Sequence, residues 1–161
     1  MLLIRDLGEL TVERGAHRLD PGGVKPRTIL ALLCAHAGRA VPANTLITEV
    51  WGEEAPEKTQ RALESQIWRL RKALSPGGEP PAIITERAGY RLDLGAVAVD
   101  SILFETSAAA ITAGDRPRPG SGPGTAGTTG ELDTILSRWR GEPFTTAGST
   151  PAIDQARERL N

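Results

Sequence analysis

The chain has 161 residues, with 19 Lys and Arg against 20 Asp and Glu and a formal net charge of -1 at pH 7. This length leaves room for about one domain with a substantial core. The 18 glycines and 12 prolines stay below the roughly 25–30% that marks a wholly disordered sequence, so we expect their excess to be local. The single cysteine, Cys34, excludes an internal disulfide framework and a cysteine-rich zinc site, and it favours a reducing compartment.

The sequence has neither the apolar length of a membrane span nor the start of an exported protein. Its longest apolar stretch, residues 29–37, is about half the ~20 residues that a spanning helix needs. The first four residues are followed at once by Arg5 and Asp6, unlike a signal peptide. We therefore expect a soluble, cytoplasmic protein.

Three short extended runs open the chain. They are Leu2–Ile4, Glu9–Val12 and Ala16–Leu19, separated by Gly8 and Gly15, and they predict a small antiparallel sheet.

Two helices are predicted after this sheet. The first begins near Pro26 and ends at Gly38, and we expect Cys34 within it to be a core residue rather than a reactive one. The second runs over Ala43–Trp51 and ends at Gly52.

A third helix, predicted over Glu57–Leu74, carries the most informative pattern. Its apolar residues recur at steps of four, three and four and predict a face toward the core: Leu63, Ile67, Leu70 and Leu74. Between Glu57 and Ser75 there are 5 basic residues against 2 acidic ones, so this segment is basic although the chain is not. The face opposite the apolar stripe holds Lys58, Arg61, Ser65, Trp68, Arg69 and Lys72.

Two further extended runs, Ala82–Thr85 and Tyr90–Leu94, are joined by a short connection that contains Arg87 and Gly89, which predicts a β-hairpin. Sheet, three helices and hairpin is the order of a winged helix-turn-helix, whose last helix enters the major groove while the hairpin, or wing, contacts flanking DNA. Arg87 at the tip is placed to reach a narrow minor groove.

Two interpretations of the charged segments stay open at this point. The basic face of the third helix is either a DNA-binding surface, which the hairpin favours, or an ordinary solvated face. The acidic residues Glu53, Glu54 and Glu57 either compensate the dipole of the following helix or also form a surface for a protein partner.

Signals for an enzyme are weak. His17 and His36 have no companion at metal-ligand spacing, and the sequence contains neither a phosphate-binding Gly-Lys-Ser/Thr loop nor a nucleophile elbow. We therefore expect no catalytic activity, cofactor or metal.

Residues 114–130 contain six Gly, three Pro and four Ser or Thr. Such a segment cannot bury enough apolar surface to offset its ordering entropy, so we predict a flexible loop over Arg116–Gly130. Helix-like composition returns at Glu131–Arg140 and Pro151–Leu160.

Three segments resemble OmpR-type winged-helix domains in order and spacing. Arg61–Leu74 is similar to the recognition helix, Ile84–Leu92 to the wing, and Leu46–Gly52 to the second helix. A helical part after such a domain is similar to the Streptomyces antibiotic regulatory protein family, in which an all-helical bacterial transcriptional activation domain follows. Val99–Glu105 and Leu136–Phe144 resemble the opening helices of that second domain.

The resemblance implies an α+β winged helix-turn-helix over residues 1–95, with an N-terminal antiparallel sheet, three helices and a C-terminal hairpin wing. An all-α, tetratricopeptide-like partial domain is expected over residues 96–161. Because no receiver domain precedes Met1 and the chain ends at Asn161, we expect a fragment of a longer regulator.

The resemblance also implies the site residues and partners. Promoter DNA with direct repeats, dimeric binding, and RNA polymerase with its sigma factor are the expected partners. Glu53, Glu54 and Glu57 correspond to the segment that contacts the polymerase in this family. Together, the charged face of the third helix and the resemblance give the expected DNA-binding residues: Lys58, Thr59, Arg61, Ser65, Trp68, Arg69, Arg71, Lys72, Arg87 and Tyr90.

The sequence therefore predicts a sequence-specific DNA-binding transcriptional activator, with a secondary-metabolite gene cluster as its target. The alternative, favoured by the near-neutral net charge, is a protein-interaction module whose winged helix and helical half dock on a partner protein.

Overall fold

The described part of the chain runs from strands through helices to a hairpin and then to further helices. The computed structural model describes residues 1–53, 58–112, 133–134 and 136–160. No helix in these ranges is both long and apolar enough to cross a bilayer. The elements are β1 (Leu2–Arg5), β2 (Thr11–Arg14), β3 (His17–Leu19), α1 (Val24–Ala35), α2 (Ala43–Trp51), α3 (Thr59–Leu74), β4 (Ile83–Glu86), β5 (Gly89–Leu92), β6 (Val97–Val99), α4 (Asp100–Thr112) and α5 (Pro151–Leu160).

The larger sheet has the strand order β3-β2-β1-β6. Its first three strands pair antiparallel, which confirms the predicted N-terminal sheet, although β2 lies two residues later than predicted. β6 pairs with β1 in parallel, with Leu2 opposite Val97 and Ile4 opposite Val99. The sequence did not predict β6, because a strand of three residues is too short to establish an alternating pattern.

Helix α1 lies at the centre of the core. Every residue from Thr28 to Ala35 is buried, and α2, α3, β5 and α5 pack against the helix. Cys34 is a core residue, as predicted, and burial raises the pKa of its thiol well above the usual value. The thiol is therefore protonated and shielded from solution.

Helix α3 presents the predicted stripe to this core. Leu63, Leu70 and Leu74 are 0% exposed and Ile67 is 2% exposed, so the face assignment is confirmed. The helix begins at Thr59, and the predicted start at residue 57 lies outside the described residues.

The wing consists of β4 and β5 and confirms the predicted hairpin, with boundaries shifted by one or two residues. Val41, just before α2, extends this sheet because its backbone exchanges hydrogen bonds of 2.7 and 2.9 Å with Tyr90. Gly89 has a φ of +138°, and a Cβ there would lie 2.0 Å from the Val41 carbonyl oxygen. Only glycine allows this close approach, which fixes the hairpin against the start of α2.

The segment before α5 corrects one expectation. Residues 141–147 form bends and turns, so the expected helix over Leu136–Phe144 is wrong. Phe144 adopts a φ of 59° and is fully buried, because its ring fills the core next to the N-terminal sheet instead of continuing a helix. Helix α5 has the predicted bounds. The predicted flexible loop at 116–130 lies outside the described residues.

The C-terminal segment is bonded to the N-terminal one along residues 6–8. The amide N–H groups of Arg140, Phe144 and Thr145 donate to the carbonyls of Leu7, Asp6 and Gly8, at 2.9, 2.9 and 3.1 Å. Ile153 and Ala156 of α5 belong to the same apolar core as α1. A division into domains at residue 95 stays a prediction, and the described core continues across that position.

Candidate nucleic-acid interface

The outward face of α3 is a continuous polar and basic surface, which we call the basic face: Lys58, Arg61, Ser65, Trp68, Arg69 and Lys72. All six residues are exposed. They lie there because the helix repeat of 3.6 residues places them opposite the buried stripe. The structure thus brings together six of the ten residues predicted to bind DNA.

Trp68 is the unusual member of the basic face, because its large apolar side chain is 61% exposed. The Nζ atom of Lys72, one helical turn later, lies 5.7 Å from the centroid of the Trp68 ring. An ammonium group over an indole face is attracted by the ring quadrupole. The pair therefore holds a flat apolar ring and a positive charge side by side on the surface.

Arg71 points elsewhere. Its Nε donates to the carbonyl oxygen of Ile83 at 2.9 Å, and its Nη2 donates to the hydroxyl of Thr85 at 2.7 Å. Both acceptors belong to β4. Arg71, one of the residues expected to bind DNA, therefore joins α3 to the wing through its guanidinium.

Two other predicted DNA contacts lie inside the protein. Tyr90 is 8% exposed and Thr59 is 5% exposed. Burial raises the pKa of the Tyr90 phenol, Glu64 raises it further, and Arg71 opposes the shift. The side chains of Tyr90 and Thr59 are therefore buried in the protein rather than presented on the basic face.

Arg87 occupies the turn between β4 and β5 and is exposed, as a wing tip requires. Beside it, the Arg91 guanidinium pairs with the Glu86 carboxylate across the hairpin, and this bond raises the pKa of Arg91. Arg91 is therefore engaged within the wing, whereas Arg87 projects at its end.

Of the three acidic residues expected to contact RNA polymerase, the structure describes Glu53. It is exposed directly after Gly52, where α2 ends. Glu54 and Glu57 lie outside the described residues.

The sequence did not indicate that Ile83 and Thr85 receive Arg71. A backbone carbonyl carries no signal in a sequence, and a threonine in a strand is common for reasons of β-propensity alone. The only signal in the sequence was the hydroxyl of Thr85, a possible hydrogen-bond acceptor within the predicted wing.

A basic helix that is exposed beside a β-hairpin and supported by two further helices defines a winged-helix DNA-binding domain. Residues 22–92 match the family model described as "Transcriptional regulatory protein, C terminal". The matched range covers α1, α2, α3 and the wing.

Three curated relatives are transcriptional or regulatory proteins of Streptomyces. The chain is 36% identical to Regulatory protein AfsR of Streptomyces coelicolor over 84 residues, which cover 52% of this chain and 8% of AfsR. It is 31% identical to Regulatory protein DnrI of Streptomyces peucetius over 109 residues, covering 63% and 40%. It is 31% identical to Transcriptional regulator RedD of Streptomyces coelicolor over 137 residues, covering 79% and 37%.

One solved structure, of Mycobacterium tuberculosis EmbR in complex with a low affinity phosphopeptide, has the same fold, with a TM-score of 0.79 at 24% identity. The match covers 99% of this chain and 41% of the EmbR chain. The chain spans less than half the length of each of these relatives. Residues 22–92 therefore carry a transcriptional regulatory domain of the winged-helix type, and the chain is similar to these Streptomyces regulators over more than half of its own length.

Proposed function

We propose that this chain is the DNA-binding part of a transcriptional activator that recognises promoter direct repeats. The observation that carries the proposal is the basic face of α3, exposed beside a wing whose tip bears Arg87. A basic helix next to a hairpin matches the width of a major groove and the phosphates or minor groove beside it. The exposed indole of Trp68 adds an apolar surface that an ordinary solvated helix has no reason to display.

In the proposed mechanism the first half and centre of α3 bind the bases. Arg61 and Arg69 carry planar guanidinium groups that match the O6 and N7 acceptors of guanine, and Ser65 lets the backbone approach a base edge. The Trp68 ring packs on a sugar or on a thymine methyl group.

Charges at the edges of this surface bind the backbone. Lys58 lies before the first turn of α3 and Lys72 in its last turn, where each neutralises a phosphate. Arg87 inserts into the adjacent minor groove, whose negative potential is enhanced where it is narrow. These contacts determine the orientation of the domain on DNA, whereas the contacts of Arg61 and Arg69 determine which base sequence it binds.

Recruitment of RNA polymerase falls to the segment after α2. Glu53 is exposed there, and a carboxylate is repelled by phosphate, so it faces away from DNA. A protein surface with basic residues, in the polymerase or its sigma factor, is the partner that fits this charge. The names of the relatives support regulation rather than catalysis. The proposed target is a secondary-metabolite gene cluster, and the proposed location of the protein is the cytoplasm.

A mobility shift on the neighbouring promoter DNA, titrated with salt and scrambled competitor, tests the proposal. If about six phosphates are neutralised, log K falls with log salt at a slope near -5. Arg69→Ala should weaken specific binding by about 1–3 kcal/mol. Arg18→Ala is the matched control, because Arg18 is also exposed but lies on β3, outside the basic face.

A flat salt response, or equal losses for Arg69→Ala and Arg18→Ala, would refute binding through the basic face. Either result would favour the alternative, in which the chain is a protein-interaction module.

A further inference from the structure

We propose that Arg71 is a positioning residue that fixes the wing relative to α3, and that it does not neutralise a DNA phosphate. The inference rests on the proposed function, because it assigns a role within that same DNA interface. It follows from the two hydrogen bonds by which the Arg71 side chain reaches β4.

One edge of the wing, on β5, is bonded to the backbone of Val41, and the other edge, on β4, receives the side chain of Arg71 from α3. On β5, the backbone N–H and C=O of Tyr90 both form hydrogen bonds with Val41. Tyr90 and Thr85, which lie opposite each other in the hairpin, are therefore a pair without mutual hydrogen bonds. Backbone groups alternate along a strand, and the carbonyl of Ile83, two residues earlier, therefore also points away from β5. Arg71 Nε donates to this carbonyl.

The second bond reaches farther toward the tip. Along β4 the exposure rises from the buried Ile83 to the exposed Thr85 and Glu86, so core packing holds the start of this strand but not its end. Arg71 Nη2 binds the Thr85 hydroxyl within this exposed part. Thr85 lies two residues before Arg87, so this bond fixes the strand that leads directly to the proposed minor-groove contact.

Arginine suits this task and lysine does not. A guanidinium is planar and presents donors in a rigid fork, so one side chain bridges a carbonyl and a hydroxyl on the same strand. A lysine ammonium is a compact charge on a flexible stem and holds no such fixed pair of directions. The two residue types are nearly equivalent, however, as partners for a single phosphate charge.

Arg71→Lys therefore separates the two roles. If Arg71 positions the wing, Arg71→Lys should weaken specific DNA binding roughly tenfold, as Arg71→Ala does, although the charge is kept. Amide hydrogen exchange in the free protein should accelerate in β4 and β5 of Arg71→Lys but stay unchanged in α1. Wild-type binding together with wild-type exchange in Arg71→Lys would overturn the proposal.

A double-mutant cycle with Arg87→Ala gives an independent readout. If Arg71 acts through the wing tip, Arg71→Ala should have little further effect once Arg87 has been removed. The slope of log K against log salt should also be the same for Arg71→Ala,Arg87→Ala as for Arg87→Ala. Additive losses, with a slope that falls by about one for Arg71→Ala in either background, would instead identify a phosphate contact.

Failure of the positioning role is distinguishable from failure of the proposed function. Arg69→Ala tests the DNA interface without altering the wing. If neither the wild type nor any variant binds DNA in a salt-dependent manner, the proposed function fails, and the positioning role in DNA binding falls with it. If Arg69→Ala abolishes specific binding while Arg71→Lys changes neither binding nor exchange, only the role of Arg71 is refuted.

Discussion

The carboxylate of Asp6 accepts two hydrogen bonds from Ser101, one from the backbone N–H at 2.8 Å and one from the hydroxyl at 2.6 Å. These bonds join the end of β1 to the first turn of α4. Asp6 is completely buried, and its burial raises its pKa to about 6, although the bonds from Ser101 oppose the shift. The negative charge of Asp100 adds to the rise, while Asp100 itself pairs with Arg138 and Arg140 at 3.1 and 3.4 Å.

This relationship predicts a pH dependence of stability. The folded-state pKa of Asp6 is about 6 against 3.8 for an unperturbed carboxyl, so the folded state binds the proton more tightly than the unfolded state. The Asp6 contribution to the free energy of unfolding therefore falls as pH rises from about 4 to about 6. Asp6→Asn should lack this loss, so its stability relative to the wild type should improve across that window by roughly 3 kcal/mol at most.

Urea unfolding of both proteins at several pH values between 4 and 7.5 measures this difference. Glu158→Gln is the control substitution, because it removes an exposed carboxylate on α5. A difference between Asp6→Asn and the wild type that does not change with pH would contradict the raised pKa.

Phe144→Ala should destabilise the N-terminal winged helix although Phe144 lies far along the chain. Its ring is 0% exposed and belongs to the core that also contains β1 and α1. Removal of a buried phenyl ring leaves a cavity and costs about 3–5 kcal/mol. Chemical denaturation followed by circular dichroism should show one cooperative transition at lower denaturant.

Leu136→Ala is the matched control for this prediction. Leu136 is an apolar residue of the same C-terminal segment but is 58% exposed, so the expected change is within about 0.5 kcal/mol. Two separate transitions in Phe144→Ala, the larger one at the wild-type midpoint, would show instead that the winged helix folds independently of residue 144.

Gly89→Ala should damage the wing more than an equivalent change at Gly15. Both glycines have a positive φ, +138° for Gly89 and +60° for Gly15, but a Cβ at Gly15 meets nothing within 4 Å. Gly15→Ala therefore carries only the backbone cost of the left-handed region, about 1–2 kcal/mol. Gly89→Ala adds the clash with the Val41 carbonyl and should separate the hairpin from α2, with a larger loss of stability and weaker DNA binding. Equal losses for the two variants would mean that the close approach to Val41 contributes nothing.

The sequence predicted those parts of the fold and site that depend on periodicity. The steps between Leu63 and Leu74 determined which face of α3 is buried, and the same wheel placed Arg61 and Trp68 on the surface. Arg71 falls between the two faces of α3, where periodicity does not predict whether a side chain is buried or exposed. Its hydrogen-bond partner lies on β4, which is distant in the sequence. The buried position of Phe144 likewise depends on long-range contacts that a local pattern does not contain.

The pair Trp68 and Lys72 should separate two kinds of contribution to DNA binding. Both side chains are exposed, so neither Trp68→Ala nor Lys72→Ala should change the free energy of unfolding by more than about 0.5 kcal/mol. Lys72→Ala should weaken binding to specific and scrambled DNA alike and reduce the salt slope by about one, because a phosphate contact is lost. Trp68→Ala should weaken specific binding and leave the slope unchanged, because the ring carries no charge. The measurement is the binding of both variants to specific and scrambled DNA over a range of salt concentrations. A reduced salt slope for Trp68→Ala would show that the ring acts only by holding the Lys72 ammonium in place.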